Sequence, residues 1–241
     1  MSGHNKWSTI KHKKGKADAA RGKIFSRLVK EISVAARQGG GDADMNPRLR
    51  VAIDTARGQN MPNDNIERAI KRGTGELEGV TYEEMLYEAY GPGGVAIIIE
   101  VLTDNKNRAA AEIRHSLTKG GGSLGSKNSV AYLFSRQGQI LIDGTVHTED
   151  EVLEAGLDAG LEDVSVFEDT IIASTDPDDI FTVKDALEAS GIKTLSSEVT
   201  KVPSNTVVLS GKEANRTMKL LEALEDLDDV QALYSNFDMA E

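Results

Sequence analysis

The stretch that decides the fold is residues 138–202, GQILIDGTVHTEDEVLEAGLDAGLEDVSVFEDTIIASTDPDDIFTVKDALEASGIKTLSSEVTKV. GQILID reads as a strand and EDEVLEAGLDAG as a helix. DVSVFED and TIIAST pair as strands, DDIFTVKDALEASG is a helix and KTLSSEVTKV a strand. The order β-α-β-β-α-β is that of a ferredoxin-like unit. On its own terms it is complete: two amphipathic helices can cover one face of four strands. Its three lysines stand against sixteen acids, a balance of −13.

The flanks are incomplete. Upstream, TYEEMLYEAY and VAIIIEVL read as strands around the turn GPGG, followed by a helix from about Arg108 to Lys119 and a strand SVAYLFS. Downstream, TVVLSGKEANRTMKLLEALEDLDDVQALYSNFD reads β-α-β. Neither half can bury its own apolar face, and joined they make one α+β sandwich. The expectation is a discontinuous domain of residues 79–137 plus 203–241, with residues 138–202 inserted in it.

Residues 1–78 read differently. Ile24, Leu28, Ile32 and Ala36 recur at spacing four, with Phe25 and Val29 beside them, and glycines 39–41 close the helix. Asn46 precedes Pro47 as an N-cap precedes a first turn, with Leu49, Ala52, Ile53 and Ala56 on the buried face. A third helix starts near Pro62, buries Ile66 and Ile70 and stops at Gly73, before a linker GTGELEG over 73–79. Three short amphipathic helices make a small bundle. The fold class is therefore α+β: an N-terminal three-helix bundle and two ferredoxin-like α+β domains, one inserted in the other.

Charge divides along the same lines. Residues 1–72 hold 16 Lys+Arg and 7 Asp+Glu, a balance of +9, and residues 73–241 hold 12 and 32, a balance of −20. Such a split joins a polyanion-binding part to an acidic part. The densest basic run is KWSTIKHKKGK, residues 6–16. Lys6, Lys11, Lys13, Lys14 and Lys16, followed by Arg21, Lys23 and Arg27, can neutralise phosphates and release their counterions. Trp7, with His12 nearby, either stacks on a base or plugs the bundle. The bundle's polar faces add Lys30, Arg37, Arg48, Arg50, Arg57, Arg68, Lys71 and Arg72. A helix-turn-helix reader in helices two and three is less favoured than simple bundle packing, because no base-reading set of Asn, Gln and Arg stands out. The partner expected is nucleic acid, RNA or DNA.

Other chemistry finds little support. The absence of cysteine excludes disulfides, thiolate zinc sites and thiol nucleophiles. The four histidines are scattered without an i, i+4 pair, and His115 is expected half-buried along its helix. The many acids read as a solvated face. GPGG lacks the setting of a dinucleotide fingerprint, and GGGSLGSKNS, residues 120–129, lacks the spacing of a Walker loop. The latter is either a basic loop touching phosphate through backbone N–H groups and Lys127, or a plain connection. No catalytic residue, metal site or cofactor is expected, and a phosphate-handling enzyme is the remote alternative. No run reaches membrane-spanning length and no secretory signal is present, so the cytoplasm is the expected compartment; the expected state is a monomer.

GHNKWSTIKHKK (3–14), RGKIFSRL (21–28), GGGDADMNPRLR (39–50), YEAYGPGG (87–94), DNKNR (104–108) and LGSKNSVAYLF (124–134) together resemble the YebC/PmpR family. The likeness is specific through about residue 135 and looser beyond. It implies a three-domain protein without known catalysis. Some members are described as DNA-binding transcriptional regulators, whereas others, mitochondrial relatives among them, are translational activators acting at the ribosome. The implied partners are thus promoter DNA or ribosomal RNA, the latter with ribosomal proteins. Asn128 stands where the family commonly has Gly, and Asn is the next residue best able to take a left-handed backbone.

Overall fold

The computed structural model describes residues 19–240. Three helices come first: α1 (Ala19–Gly39), α2 (Pro47–Gly58) and α3 (Asn63–Thr74). Asn46 caps α2 as expected, its side chain accepting from the Leu49 N–H, while its amide donates to the carbonyls of Ala35 and Gly40. One asparagine thus starts one helix and closes the previous one. α1 packs on both other helices around Ile32, Leu49, Ile53 and Ile66. Gly73 does not end α3. It lies inside the helix, where an added Cβ would sit 2.4 Å from the Ser33 carbonyl oxygen, and left-handed Gly75 (φ 83°) is the cap. The glycine serves close approach of two helices, a use that looks like a stop signal in sequence.

The next sheet is ordered β3-β1-β2-β9, from β1 (Glu83–Tyr90), β2 (Ala96–Thr103), β3 (Ser123–Leu124) and β9 (Val230–Ser235), all neighbours antiparallel. Helices α4 (Lys106–Gly120) and α7 (Gly211–Glu225) cover one face through Ile113, Leu117, Leu220 and Leu224. β2 reads AIIIEVLT because both its faces are covered: Ile97, Ile99 and Val101 meet the helices, and Ala96 and Ile98 meet Val130 behind. The sheet has the ferredoxin-like spatial order, with β2 first, β3 second and β9 fourth, but the third strand, which should precede the second helix, is supplied by β1, earlier in the chain.

Residues 134–203 form a second sheet, ordered β5-β6-β4-β7, from β4 (Phe134–Asp143), β5 (Leu161–Phe167), β6 (Thr170–Thr175) and β7 (Thr194–Pro203). In local terms this is second, third, first, fourth. Helices α5 (Glu149–Gly156) and α6 (Ile180–Ala189) pack on it over Ile140, Ile142 and Ile171. α5 opens on a complete capping box of Thr148 and Glu151. The β4–β7 ladder begins at Phe134 opposite Pro203, and the chain's exit and re-entry are tied by a Ser204 N–H to Leu133 carbonyl bond of 2.7 Å.

Two sequence expectations are corrected. SVAYLFS is not a strand of the first sheet: that role falls to Ser123–Leu124, and Ala131–Leu133 is a 3-10 turn. The cause is Glu88, described below. β8 (Val207–Leu209) does not join the first sheet either; it pairs parallel with β10 (Phe237–Met239) as a separate ribbon.

Candidate nucleic-acid interface

Seven of the residues expected to hold nucleic acid, Lys6, Trp7, Lys11, His12, Lys13, Lys14 and Lys16, lie outside the described residues. Arg21 falls within α1, with its side chain likewise outside them. The other two bond to the acidic loop after α7. Lys23 Nζ donates to Asp226 Oδ1 and to the Asp226 carbonyl, both at 2.9 Å, and Arg27 donates to the Glu225 carbonyl. One turn on, Lys30 reaches Asp229 Oδ1 at 2.8 Å and the Asp228 carbonyl at 2.9 Å, over the ring of Tyr82. α1 is thus clasped along one face by the α7–β9 loop.

Asp229 is the centre of the clasp. It is 4 % exposed and accepts from Lys30, from Arg108 at 2.8 Å and from the Thr103 hydroxyl at 2.9 Å. Burial pushes its carboxyl up, but the hydrogen bonds from Lys30, Arg108 and Thr103 together outweigh this and hold it below the ordinary aspartate range. The general reading of the acids as a solvated face does not hold for Asp229, which lies in the run EDLDDV. Nothing in the run separates Asp229 from Asp226 or Asp228, and only the fold selects it. Arg48 makes a second tie, pairing with Glu31 of its own bundle and with Glu84 of β1.

The outward cations form a different set. Arg37, Arg68, Lys71 and Arg72 are exposed, and none pairs with a carboxylate among the described residues. Arg37 and Arg72 line one shallow pocket where α1 meets the end of α3. Arg68 and Arg72, four apart, share a face of α3. The bundle therefore grips the acidic sandwich with one side and presents unpaired positive charge on another.

At the opposite end of the first sheet, the Glu88 carboxylate is 5 % exposed and accepts backbone N–H groups of Asn128 (2.6 Å), Val130 (2.7 Å) and Ala131 (2.8 Å). Burial raises this carboxyl, and the N–H donors of Val130, Ala131 and Asn128 bring it below the ordinary glutamate value. Those N–H groups cannot join a ladder, which is why the segment turns. They are not open to a phosphate either; of residues 120–129 this takes up the Asn128 N–H, and Lys127 is exposed. Asn128 has φ 63°, the left-handed backbone expected of it. His115 is exposed, not half-buried. Among the described residues no group of three or more His, Asp or Glu could hold a metal ion, and no helix is long and apolar enough to cross a membrane.

Two family models match this arrangement. The TACO1/YebC protein N-terminal domain covers residues 5–76, and the TACO1/YebC second and third domain covers residues 82–237. The chain belongs to the TACO1/YebC family. A relative from Desulfatibacillum aliphaticivorans is 59% identical over 239 residues, spanning 99% of this chain and 97% of that protein. One from Trichlorobacter lovleyi is 55% identical over 240 residues, spanning 100% of this chain and 97% of the relative. Both are named probable transcriptional regulatory proteins. The crystal structure of a conserved hypothetical protein from Aquifex aeolicus superposes with a TM-score of 0.86 at 48% identity, covering 96% of each chain. The family is thus one of regulatory proteins with an α+β fold.

Proposed function

We propose that this chain is a non-enzymatic, nucleic-acid-binding regulator of gene expression that acts on translation through ribosomal RNA, as a cytoplasmic monomer without a cofactor. The observation that carries the reading is the segregation of charge: +9 over residues 1–72 against −20 over the rest. The arm supplies Lys6, Lys11, Lys13, Lys14 and Lys16, and the bundle adds unpaired Arg37, Arg68, Lys71 and Arg72. An acidic remainder repels a long open duplex over roughly a Debye length of 8–10 Å. A folded RNA offers phosphates and unpaired bases that suit a basic N-terminal segment with one tryptophan. The acidic insert suits basic ribosomal protein surface.

A promoter-binding regulator is the second reading, favoured by the names of the relatives. Sedimentation of cell lysate through a sucrose gradient separates the two. Co-migration with ribosomes, lost on deleting residues 1–16, is the expected result; migration as free protein with tight, sequence-selective promoter binding overturns it. Replacing Lys11, Lys13, Lys14 and Lys16 with Ala is expected to flatten the salt dependence of duplex binding by about 3–4 log–log units.

We also propose that the acidic insert is a body of its own. It has its own core around Ile140, Val183 and Leu187, and its ends meet at Leu133 and Ser204. Residues 134–203 made alone are expected to melt cooperatively, and the remainder, closed by a short Gly/Ser bridge, to keep its helical and sheet circular dichroism. Two unfolded fragments would sink this division.

A further inference from the structure

The acidic sandwich carries a basic island. Residues 106–136 hold Lys106, Arg108, Arg114, Lys119, Lys127 and Arg136 against the single acid Glu112. Lys106 and Arg108 are tied to Glu83, Asp104 and Asp229 near the bundle. Lys119 and Lys127 are exposed and pair with no carboxylate among the described residues. They sit at the far end of the first sheet. β1 starts beside the bundle at Glu84 and ends at Tyr90, about 20 Å away at strand rise.

Three features gather at that end. α4 finishes at Lys119–Gly120, and the guanidinium of exposed Arg216 on α7 lies against Gly121, where a Cβ would sit 2.2 Å from its Nη2. Gly121 has φ 82°, a left-handed backbone that favours glycine, and the Arg216 guanidinium rests against this loop after α4. The loop itself is pinned from below by Glu88 and from the side by the Tyr90 hydroxyl, which donates to the Ser129 carbonyl at 3.0 Å. Tyr132 then projects into solvent with 75 % of its surface exposed. Its neighbours Val130, Ala131, Leu133 and Phe134 pack behind the sheet. Glu213, in the first turn of α7, approaches Gly93.

We infer that Lys119, Lys127, Arg216 and Tyr132 form a second contact for single-stranded RNA, distinct from the arm and bundle. This rests on the nucleic-acid reading proposed above and adds a location to it. Charge complementarity selects a polyanion: three unpaired cations face out of a body whose overall balance is −20. The exposed ring selects a single strand over a duplex, because a base must be unstacked to lie on it. The anchored loop holds Lys127 and Tyr132 in place before the ligand arrives, which lowers the ordering cost of binding. An RNA spanning both ends would be held by two basic contacts with a repelling surface between them.

The test uses the full chain and a labelled single-stranded oligoribonucleotide, with binding followed by anisotropy across a salt series. The triple variant Lys119→Ala/Lys127→Ala/Arg216→Ala is expected to lower the log–log salt slope by about 2, at roughly 0.7 per lost phosphate contact. Tyr132→Leu is expected to weaken single-strand binding about fivefold or more at unchanged slope, with duplex DNA unaffected. A charge control, Lys184→Ala/Lys193→Ala on the insert, should leave the slope alone. Wild-type behaviour of both the triple and the Tyr132 variants, while Ala at Lys11, Lys13, Lys14 and Lys16 still flattens the salt slope, overturns this inference and leaves the arm reading intact. An equal slope loss in the insert control overturns it too, since a general field would then account for the effect. Failure of the wild-type chain to bind RNA at all removes both readings together.

Discussion

The first sheet meets basic side chains at both ends, and they are put to opposite use. At the end near the bundle, Lys23, Arg27 and Lys30 on α1 are bonded to the Glu225–Asp229 loop, and Arg108 joins Lys30 on Asp229. At the far end Lys119, Lys127 and Arg216 have no carboxylate among the described residues. The carboxylates differ in the same sense. Asp229 accepts side-chain cations and joins two domains, whereas Glu88 accepts backbone N–H groups and shapes one loop. Counting charge along a chain cannot tell a cation that binds the protein's own acid from one that waits for a ligand. The number of donors aimed at each buried carboxylate can.

The largest way to break this contrast is to remove the platform that holds α1. Gly73→Val puts side-chain atoms where the Ser33 carbonyl and Ala36 Cβ already sit, at 2.4 and 2.8 Å. Backbone cannot yield cheaply there, so a loss of more than about 3 kcal/mol is expected, read as a lower thermal midpoint. A wild-type melt would mean that α1 and α3 separate without cost.

Next comes the clasp. Asp229→Ala leaves Lys30 and Arg108 without their shared partner, and removal of one side of a buried pair costs about 3 kcal/mol. The wild-type clasp should also respond to acid. Because the Asp229 carboxyl is held below its unfolded value, its contribution is complete above about pH 4 and is lost as pH falls through the lower folded value. Urea titrations at neutral pH and in this acid window should show Asp229→Asn flattening the acid limb. An unchanged limb would place the titration elsewhere.

How much of this was readable beforehand follows from how local each signal is. The Asn46 cap, the glycine turn at 91–94 and the βαββαβ unit are set within a few residues, and the structure has them as expected. The α1 clasp is not local: Lys30 and Asp229 are 199 residues apart, and each looks like any exposed charge on a helix or acidic loop. Gly73 and the segment 129–133 failed for a related reason. A glycine that admits a neighbour and a glycine that ends a helix are written alike. A β-branched, aromatic stretch such as SVAYLF has strand propensity that a buried glutamate 42 residues earlier overrides. Of the expected site, the arm falls outside the described residues, and Lys23 and Arg27 are bonded to Asp226 and to the Glu225 carbonyl.

At the far end, Glu88→Gln replaces a carboxylate that takes three N–H donors with an amide offering one acceptor oxygen and an NH2 facing the others. A cost of about 1–3 kcal/mol is expected, confined to the loop. Amide hydrogen exchange should accelerate at Asn128, Val130 and Ala131 and stay unchanged at Ile97 and Ile99 in β2. Uniform acceleration would mean that Glu88 supports the whole sheet and not the loop alone.

The smallest expected effect sharpens the contrast most closely. Asn128 sits at φ 63° with its N–H on Glu88 and its side chain exposed. Left-handed backbone costs an ordinary L-residue about 1 kcal/mol, glycine nothing, and asparagine something between. Asn128→Ala should therefore lower stability by about 1 kcal/mol, and Asn128→Gly should stay within about 0.5 kcal/mol of wild type, since relief of strain is offset by the greater freedom of glycine in the unfolded chain. If the loop's shape matters to RNA through the placement of Lys127 and Tyr132, the alanine variant should lose single-strand affinity as well, and the glycine variant should not. Loss of affinity in both variants with stability unchanged would mean that the Asn128 side chain itself touches the ligand. That outcome would move asparagine from a conformational role to a binding one, and extend the far-end contact by one residue.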